Sequence, residues 1–398
     1  MEHDSDRCLA IAQELLEQPT AAMKEDLPRR AIQAFVAARP GLMLSEDPAG
    51  NLLVRYDPPG ATAAPLVLVA HLDHPSFWID SSDGNTASLT FKGYVLTSYV
   101  HAGLRVRFFE RNSKTPVGAG ELVSFGAEGD ENKPAAQQRL PGEHEPERRL
   151  ALAQARIVDG RAPADGFAMW DFPGYSVVDG KIVTRCCDDL LGVAAALCTL
   201  DAIHRMKAQS APLWALFTRA EEIGFLGALE AIRHKTLPMN SNVLSLECSK
   251  AFEHAPQGAG VIIRVGDRSS IFNPQLTAAL CQSAEQLKKA DATFKFQRKL
   301  MDGGTCEATP FCAWGYVASG VAVPLGNYHN QCVRSDGTKT IGPESVAVSD
   351  FLGEVRLLTE LAQHPEWLDT AAAKIPKSLL ERAEAAQELS GKYALKAL

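Results

Sequence analysis

The stretch from Leu213 to Ala228 joins an apolar run, Leu213 to Phe217, to two adjacent carboxylates, Glu221 and Glu222, and a turn punctuated by Gly224 and Gly227. The run is too short for a helix and apolar on both faces, so it reads as an interior strand of a parallel sheet. Carboxylates at the mouth of such a strand carry a large desolvation penalty. They either ionise against a cation held there or face open water. In open α/β sheets that end of the strand is where ligands and catalysts gather.

The same pattern recurs along the chain. Leu66 to Ala70 is a second buried-type run, and it delivers His71, Asp73 and His74. Val243 to Leu246 is a third, ending in Glu247, and the strand from Tyr316 to Val323 leads through Pro324 to His329. Asp188 and Asp189 open a run of good helix formers reaching about Met206. Around these pieces the spacing predicts helices within 5–38, a hairpin across the turn Pro48 to Asn51, and a strand over 261–265. Helices are also predicted over 275–289, 344–361 and 375–395. Between Ile79 and Lys181 the texture changes to short alternating strands, with a polar segment over 127–147 that reads as a mobile loop. The expected organisation is therefore an α/β catalytic domain over 1–77 and 181–370, a β-rich insertion over 78–180, and a helical extension over 371–398.

Composition narrows the chemistry. With 398 residues, 46% of them hydrophobic, the chain can bury a large core. A formal charge of -8 leaves no basic footprint for nucleic acid or an anionic membrane surface. The polar, acidic first residues do not read as a signal peptide, no apolar run approaches the length of a membrane span, and a cytoplasmic protein is expected. Nine cysteines without zinc-finger spacing read as reduced thiols, including Cys186, Cys187, Cys248 and Cys306 beside the acidic motifs.

His71, Asp188, Glu221, Glu222, Glu247 and His329 together suit a two-metal hydrolytic site. Two divalent cations clamp the attacking and leaving oxygens, and one shared carboxylate holds them together. Nitrogen and oxygen ligands favour zinc, with cobalt or manganese as alternatives. Two dications against three carboxylates and a hydroxide bring the site close to neutrality, leaving Glu221 outside the ligand set as general base.

These residues resemble the co-catalytic metallo-aminopeptidases of the M42 type, which are related to the M28 and M20 zinc peptidases. The matching pieces are His71-x-Asp73, the run Asp188-Asp189-x-x-Gly192, Glu221-Glu222-Ile-Gly-Phe-Leu-Gly-Ala228, Glu247 and His329. The long stretch between the first two pieces is the M42 arrangement. The resemblance implies a zinc-peptidase-like three-layer domain with a mostly parallel central sheet, carrying a small inserted β domain. It makes Asp188 the bridging ligand, His71 and Glu247 the ligands of one metal, and Glu222 and His329 those of the other. Glu221 then handles the proton at a metal-bound hydroxide, while Asp73 accepts the second ring N–H of His71. It also implies a cis bond between Asp188 and Asp189, and a homo-oligomer. The chain departs from the family pattern at His74, where Glu is common, at Leu190, where Arg is common, and at Glu247, where Asp is usual. A further departure is the turn Gly304-Thr305-Cys306-Glu307-Ala308. His74 and Thr305 are expected to contact substrate. The expected activity is removal of N-terminal residues from short peptides; a carboxypeptidase, an N-acyl amino acid deacylase of the same clan and an inactive binding scaffold are the alternatives.

Overall fold

In a computed structural model of the chain, residues 5–129, 147–207, 212–371 and 377–392 are described. The polar segment expected to be mobile falls almost wholly outside them. Two amphipathic helices, α1 (Ser5–Leu16) and α2 (Asp26–Ala37), lead to a hairpin of β1 (Met43–Glu46) and β2 (Leu52–Tyr56) and then to β3 (Leu66–His71). Six strands follow: β4 (Ser76–Ser82), β5 (Thr86–Lys92), β6 (Arg105–Phe109), β7 (Gly118–Ala127), β8 (Leu150–Gly160) and β9 (Phe167–Trp170). They close a barrel in the order β4-β5-β8-β7-β6-β9. Its interior holds Phe77, with its ring edge-on to Phe91 and Trp170, each at a centroid distance of 4.9 Å.

The chain then runs through β10 (Ser176–Val178) and β11 (Lys181–Thr184) into α3 (Leu190–Met206), β12 (Leu213–Thr218), α4 (Leu226–Arg233), β13 (Asn242–Lys250) and β14 (Val261–Asp267). After these come α5 (Pro274–Ala290), β15 (Phe296–Met301), α6 (Ala308–Ala313) and β16 (Val317–Leu325). A ribbon of β17 (Gln331–Val333) and β18 (Lys339–Ile341) precedes β19 (Glu344–Ala347), α7 (Val348–Gln363), α8 (Glu366–Thr370) and α9 (Lys377–Lys392).

The large sheet is mixed, with order β1-β2-β12-β3-β13-β16-β14-β15. The four strands β12, β3, β13 and β16 at its centre are mutually parallel, and the flanks are antiparallel where β2 meets β12 and β14 meets β16. Alternation along β3 separates the two faces: Leu66, Leu68 and Ala70 pack with α1, α3 and α7 residues, whereas Val67 and Val69 pack with α4 and α6 residues. Because the central strands are parallel, their carboxyl ends lie together, and His71, the Glu221–Glu222 turn and Glu247 emerge from that one edge.

One expected element is different. Residues 344–361 do not form a single helix: Glu344 to Ala347 is β19, paired antiparallel with Lys181 to Thr184, and the helix starts at Val348. Val346 pairs opposite the buried Ile182, so cross-strand packing overrides the helical spacing of the apolar residues here.

Candidate functional site

Each site residue leaves its strand at a position the backbone fixes. The Glu221–Glu222 turn follows β12 and folds back because Gly227 N–H donates to Arg219 O at 2.8 Å. A Cβ on Gly227 would stand 2.4 Å from the Arg219 backbone nitrogen, so that approach requires glycine. Asp73 pins the same turn: its two carboxylate oxygens accept the Glu221 N–H at 2.9 Å and the Glu222 N–H at 3.1 Å. Asp188 enters from the loop between β11 and α3, and its bond to Asp189 is cis. His329 lies in the single turn Tyr328–Asn330 after β16.

The side chains converge. His71 Nε2 is 3.3 Å from Asp188 Oδ1 and 3.9 Å from Glu221 Oε2. His329 Nε2 is 3.6 Å from the other Asp188 oxygen and 3.3 Å from Glu222 Oε1. Ligand atoms of His71, Asp188 and Glu247 lie within 4.8 Å of one another, as do those of Asp188, Glu222 and His329 and those of His71, Glu221 and Glu222. Asp188 is thus common to two trios, one on each of its oxygens.

The donor set fits divalent metal ions. Each Nδ1 faces a backbone carbonyl, His71 that of Asp73 at 3.2 Å and His329 that of Tyr94 at 2.8 Å, and a carbonyl only accepts. The ring protons are spent there, so both Nε2 lone pairs point at carboxylate oxygens. Acceptor against acceptor calls for a positive charge between them, a second ring proton in the metal-free chain or a bound cation. Asp188 Oδ1 and Glu222 Oε1 are in addition buried without a hydrogen-bond partner. Burial alone would push the imidazolium of His71 down, yet Glu221, Asp188 and Asp73 hold it well above the usual histidine range. Burial raises the Glu247 carboxyl to about 7.

Not every expected role matches the geometry. His74, expected to contact substrate, is 0% exposed, with Nδ1 2.6 Å from Asp188 O and Nε2 3.1 Å from Asn330 Oδ1. Both nitrogens are engaged inside the protein, which turns the ring into an internal strut. The Asp73 carboxylate is 3.5 Å from His71 Nδ1, and its hydrogen bonds go to the Glu221–Glu222 backbone instead. Thr305 shares a 2.8 Å hydrogen bond with Ser269 and borders a cavity of about 260 Å³ together with Glu247, Lys250, Arg264 and Tyr328. Cys186, Cys187, Cys248 and Cys306 are buried with thiol pKa values pushed up by burial, so they are inert small residues.

Sequence reasoning missed four charged residues. Glu307 is fully buried, both its oxygens lack partners, and burial lifts its carboxyl to about 8. Glu354, midway along α7, is in the same condition. Arg264 is 3% exposed, its Nε has no hydrogen-bond partner, and it forms no ion pair among the described residues. Glu344 accepts backbone hydrogen bonds from Cys187, Asp188 and His329. The displaced acid of the Gly304–Ala308 turn was the one available signal for Glu307; the other three had none.

No curated protein sequence matches the chain. The profile of the M42 glutamyl aminopeptidase family matches residues 166–338, a range that holds Asp188, Glu221, Glu222, Glu247 and His329 but not His71. Among solved structures, the aminopeptidase APDkam598 from the archaeon Desulfurococcus kamchatkensis is similar with a TM-score of 0.71 and 17% identity, over 94% of this chain and 99% of that one. A TET aminopeptidase from a marine sediment thaumarchaeon follows at 0.70 and 19%, over 92% and 99%. The TET1 peptidase of Pyrococcus horikoshii, which can assemble into a tetrahedron or a large octahedral shell, gives 0.67 and 19%, over 89% and 99%. Among the described residues no helix is long and apolar enough to cross a membrane. The resemblance to the M42 peptidases is borne out by the family match over 166–338 and by the fold, and the chain is a peptide hydrolase.

Proposed function

We propose that the chain is an aminopeptidase dependent on two divalent metal ions, zinc first among them, that removes N-terminal residues from short peptides. The observation that carries this reading is the Asp188 carboxylate, faced on either oxygen by an imidazole nitrogen whose own proton is already spent. In it, residues 1–77 and 181–370 form a three-layer catalytic domain and 78–180 an inserted β domain. His71, Asp188 and Glu247 would hold one ion, and Asp188, Glu222 and His329 the other. When bound, the ions supply Lewis acidity that polarises the scissile carbonyl and acidifies the attacking water. Glu221 takes the proton from that water and delivers it to the leaving amine as the C–N bond breaks and the new C–O bond forms. Asp73 keeps Glu221 and Glu222 aimed in different directions by fixing their N–H groups.

The cavity beside Glu247 favours an acidic N-terminal residue. A buried guanidinium without a carboxylate partner is costly, and an acidic side chain seated against Arg264, with Lys250 at the rim, relieves that cost. The glutamyl aminopeptidase description of the matching family agrees with this preference. Nine cysteines that form no disulfide among the described residues suit a cytoplasmic protein, and the TET relatives suggest a homo-oligomer. Glutamyl, aspartyl and leucyl nitroanilides, free peptides and N-acyl amino acids, assayed before and after chelation, form the test. Metal-dependent release from glutamyl substrates is expected, with Arg264→Gln lowering kcat/KM for them by roughly 10²-fold and sparing leucyl ones. Hydrolysis of N-acyl amino acids alone would favour the deacylase alternative.

A further inference from the structure

Glu344 is fully buried at the start of β19, forms no hydrogen bond to a side chain of either ligand trio, and has no part in the mechanism above. Its hydrogen bonds are nevertheless aimed at the site. One carboxylate oxygen accepts the backbone N–H of Cys187 at 2.7 Å and of Asp188 at 3.1 Å, and the other accepts the N–H of His329 at 2.8 Å. Those segments arrive from different parts of the chain, one from the loop before α3 and the other from the turn after β16.

His74 fastens the same two segments by a separate route. It bonds the Asp188 carbonyl at 2.6 Å and the Asn330 side chain at 3.1 Å, and Asn330 in turn donates to Arg185 O at 3.1 Å and Gly342 O at 3.2 Å. Asp188 is therefore held at its N–H by Glu344 and at its C=O by His74. His71 and Glu247 need no such clamp, because the parallel pairing of β3 with β13 already sets their separation.

We infer that Glu344, seconded by His74, is a positioning residue that fixes Asp188 relative to His329 and so sets the ion affinity of the Asp188, Glu222 and His329 trio in particular. The inference rests on the two-metal reading. Hydrogen bonds from three backbone N–H groups to one carboxylate, each roughly twice as strong as a neutral bond, tie the two segments together, and partners one step behind metal ligands tune affinity in this way.

The test is metal content of the full-length protein by elemental analysis after dialysis against graded free zinc, for wild type, Glu344→Gln and His74→Gln. The glutamine at 344 keeps the volume but replaces one acceptor oxygen with an amide NH₂, which cannot accept from either segment. The ion held by Asp188, Glu222 and His329, two of whose ligands Glu344 fixes, should weaken by roughly 10–100-fold, and the other, which shares only Asp188, should weaken by much less. KM should be unchanged, and kcat should return at saturating zinc. His74→Gln should weaken the same ion by less, and the double variant should weaken it by less than the product of the two, since both act on one segment. Equal weakening of both ions, or wild-type affinity for both in the two single variants, would overturn the inference. Should Glu344→Gln fail to fold, His74→Gln alone decides between these outcomes. A wild-type chain that binds fewer than two ions would instead sink the two-metal reading itself.

Discussion

Glu221 and Glu222 are neighbours in sequence with different surroundings. Glu222 faces His329 at 3.3 Å, while Glu221 faces His71 at 3.9 Å. Burial is the largest influence on the Glu221 carboxyl; against the opposing pull of His71 it is reinforced by Glu222, Glu247 and Glu307, and the pKa is raised well above the usual range. An elevated pKa suits a group that must take a proton and give it back near neutral pH. Glu221→Gln is therefore expected to keep its metal ions and its substrate affinity while kcat falls by about 10²–10⁴-fold. Glu222→Gln is expected to weaken one ion, with activity partly restored by added metal. Metal analysis and kcat across a metal titration check both, and a Glu221→Gln that loses an ion while Glu222→Gln keeps two would reverse the roles.

Helix α3 carries Asp189 at its amino end and is anchored at the other by Asp201. That carboxylate is buried and bonded to Arg7 of α1 at 2.6 Å, to Arg39 just beyond α2 at 2.7 Å, and to Arg205 one turn on at 2.8 Å. Burial alone would raise its pKa, but Arg7 and Arg39 hold it well below the usual range. A depressed carboxyl contributes stability above its ordinary pKa and loses it as pH falls through the lowered value. Asp201→Asn should thus cost about 1–3 kcal/mol at pH 7, less than a fully buried pair because the arginines are partly in water. The deficit should shrink below about pH 4, read from urea midpoints at both pH values. Elements of this kind also show what the sequence reveals. The strand-end acids and histidines were legible because a short apolar run followed by charge has few meanings, and their order identified the family resemblance. Glu344 was not, since only the pairing of Val346 with Ile182 turns a helix-like segment into a strand and buries that acid behind Asp188. Arg264, Glu307 and Glu354 look like ordinary surface charges until tertiary packing removes their water.

At the scale of the whole molecule, the chain gathers several buried acids around one site. Burial raises the carboxyls of Glu247 and Glu344 to about 7 and those of Glu307 and Glu354 to about 8. Assembly is one expected property at this scale: light scattering at micromolar concentration should give a mass well above the 42.9 kDa of one chain, and a monomer would remove that expectation. Metal removal should expose the buried acid directly. Each of these carboxyls binds its proton more tightly folded than unfolded, so from about pH 4.5 up to 7–8 the folded chain holds the extra protons and loses stability as pH rises. His71 and His329 are raised as well, and losing their protons works in the same direction. Bound dications supply the positive charge that those protons otherwise provide. The metal-free chain should accordingly melt highest near pH 4.5–5 and fall towards pH 8, whereas the loaded chain changes little. The gap between them should widen with pH, reaching about 5 °C or more at pH 8. Scanning calorimetry of chelated and zinc-loaded protein at three pH values measures it. A gap that narrows as pH rises would mean that the acid cluster is neutralised within the chain and that the ions are not what holds it together.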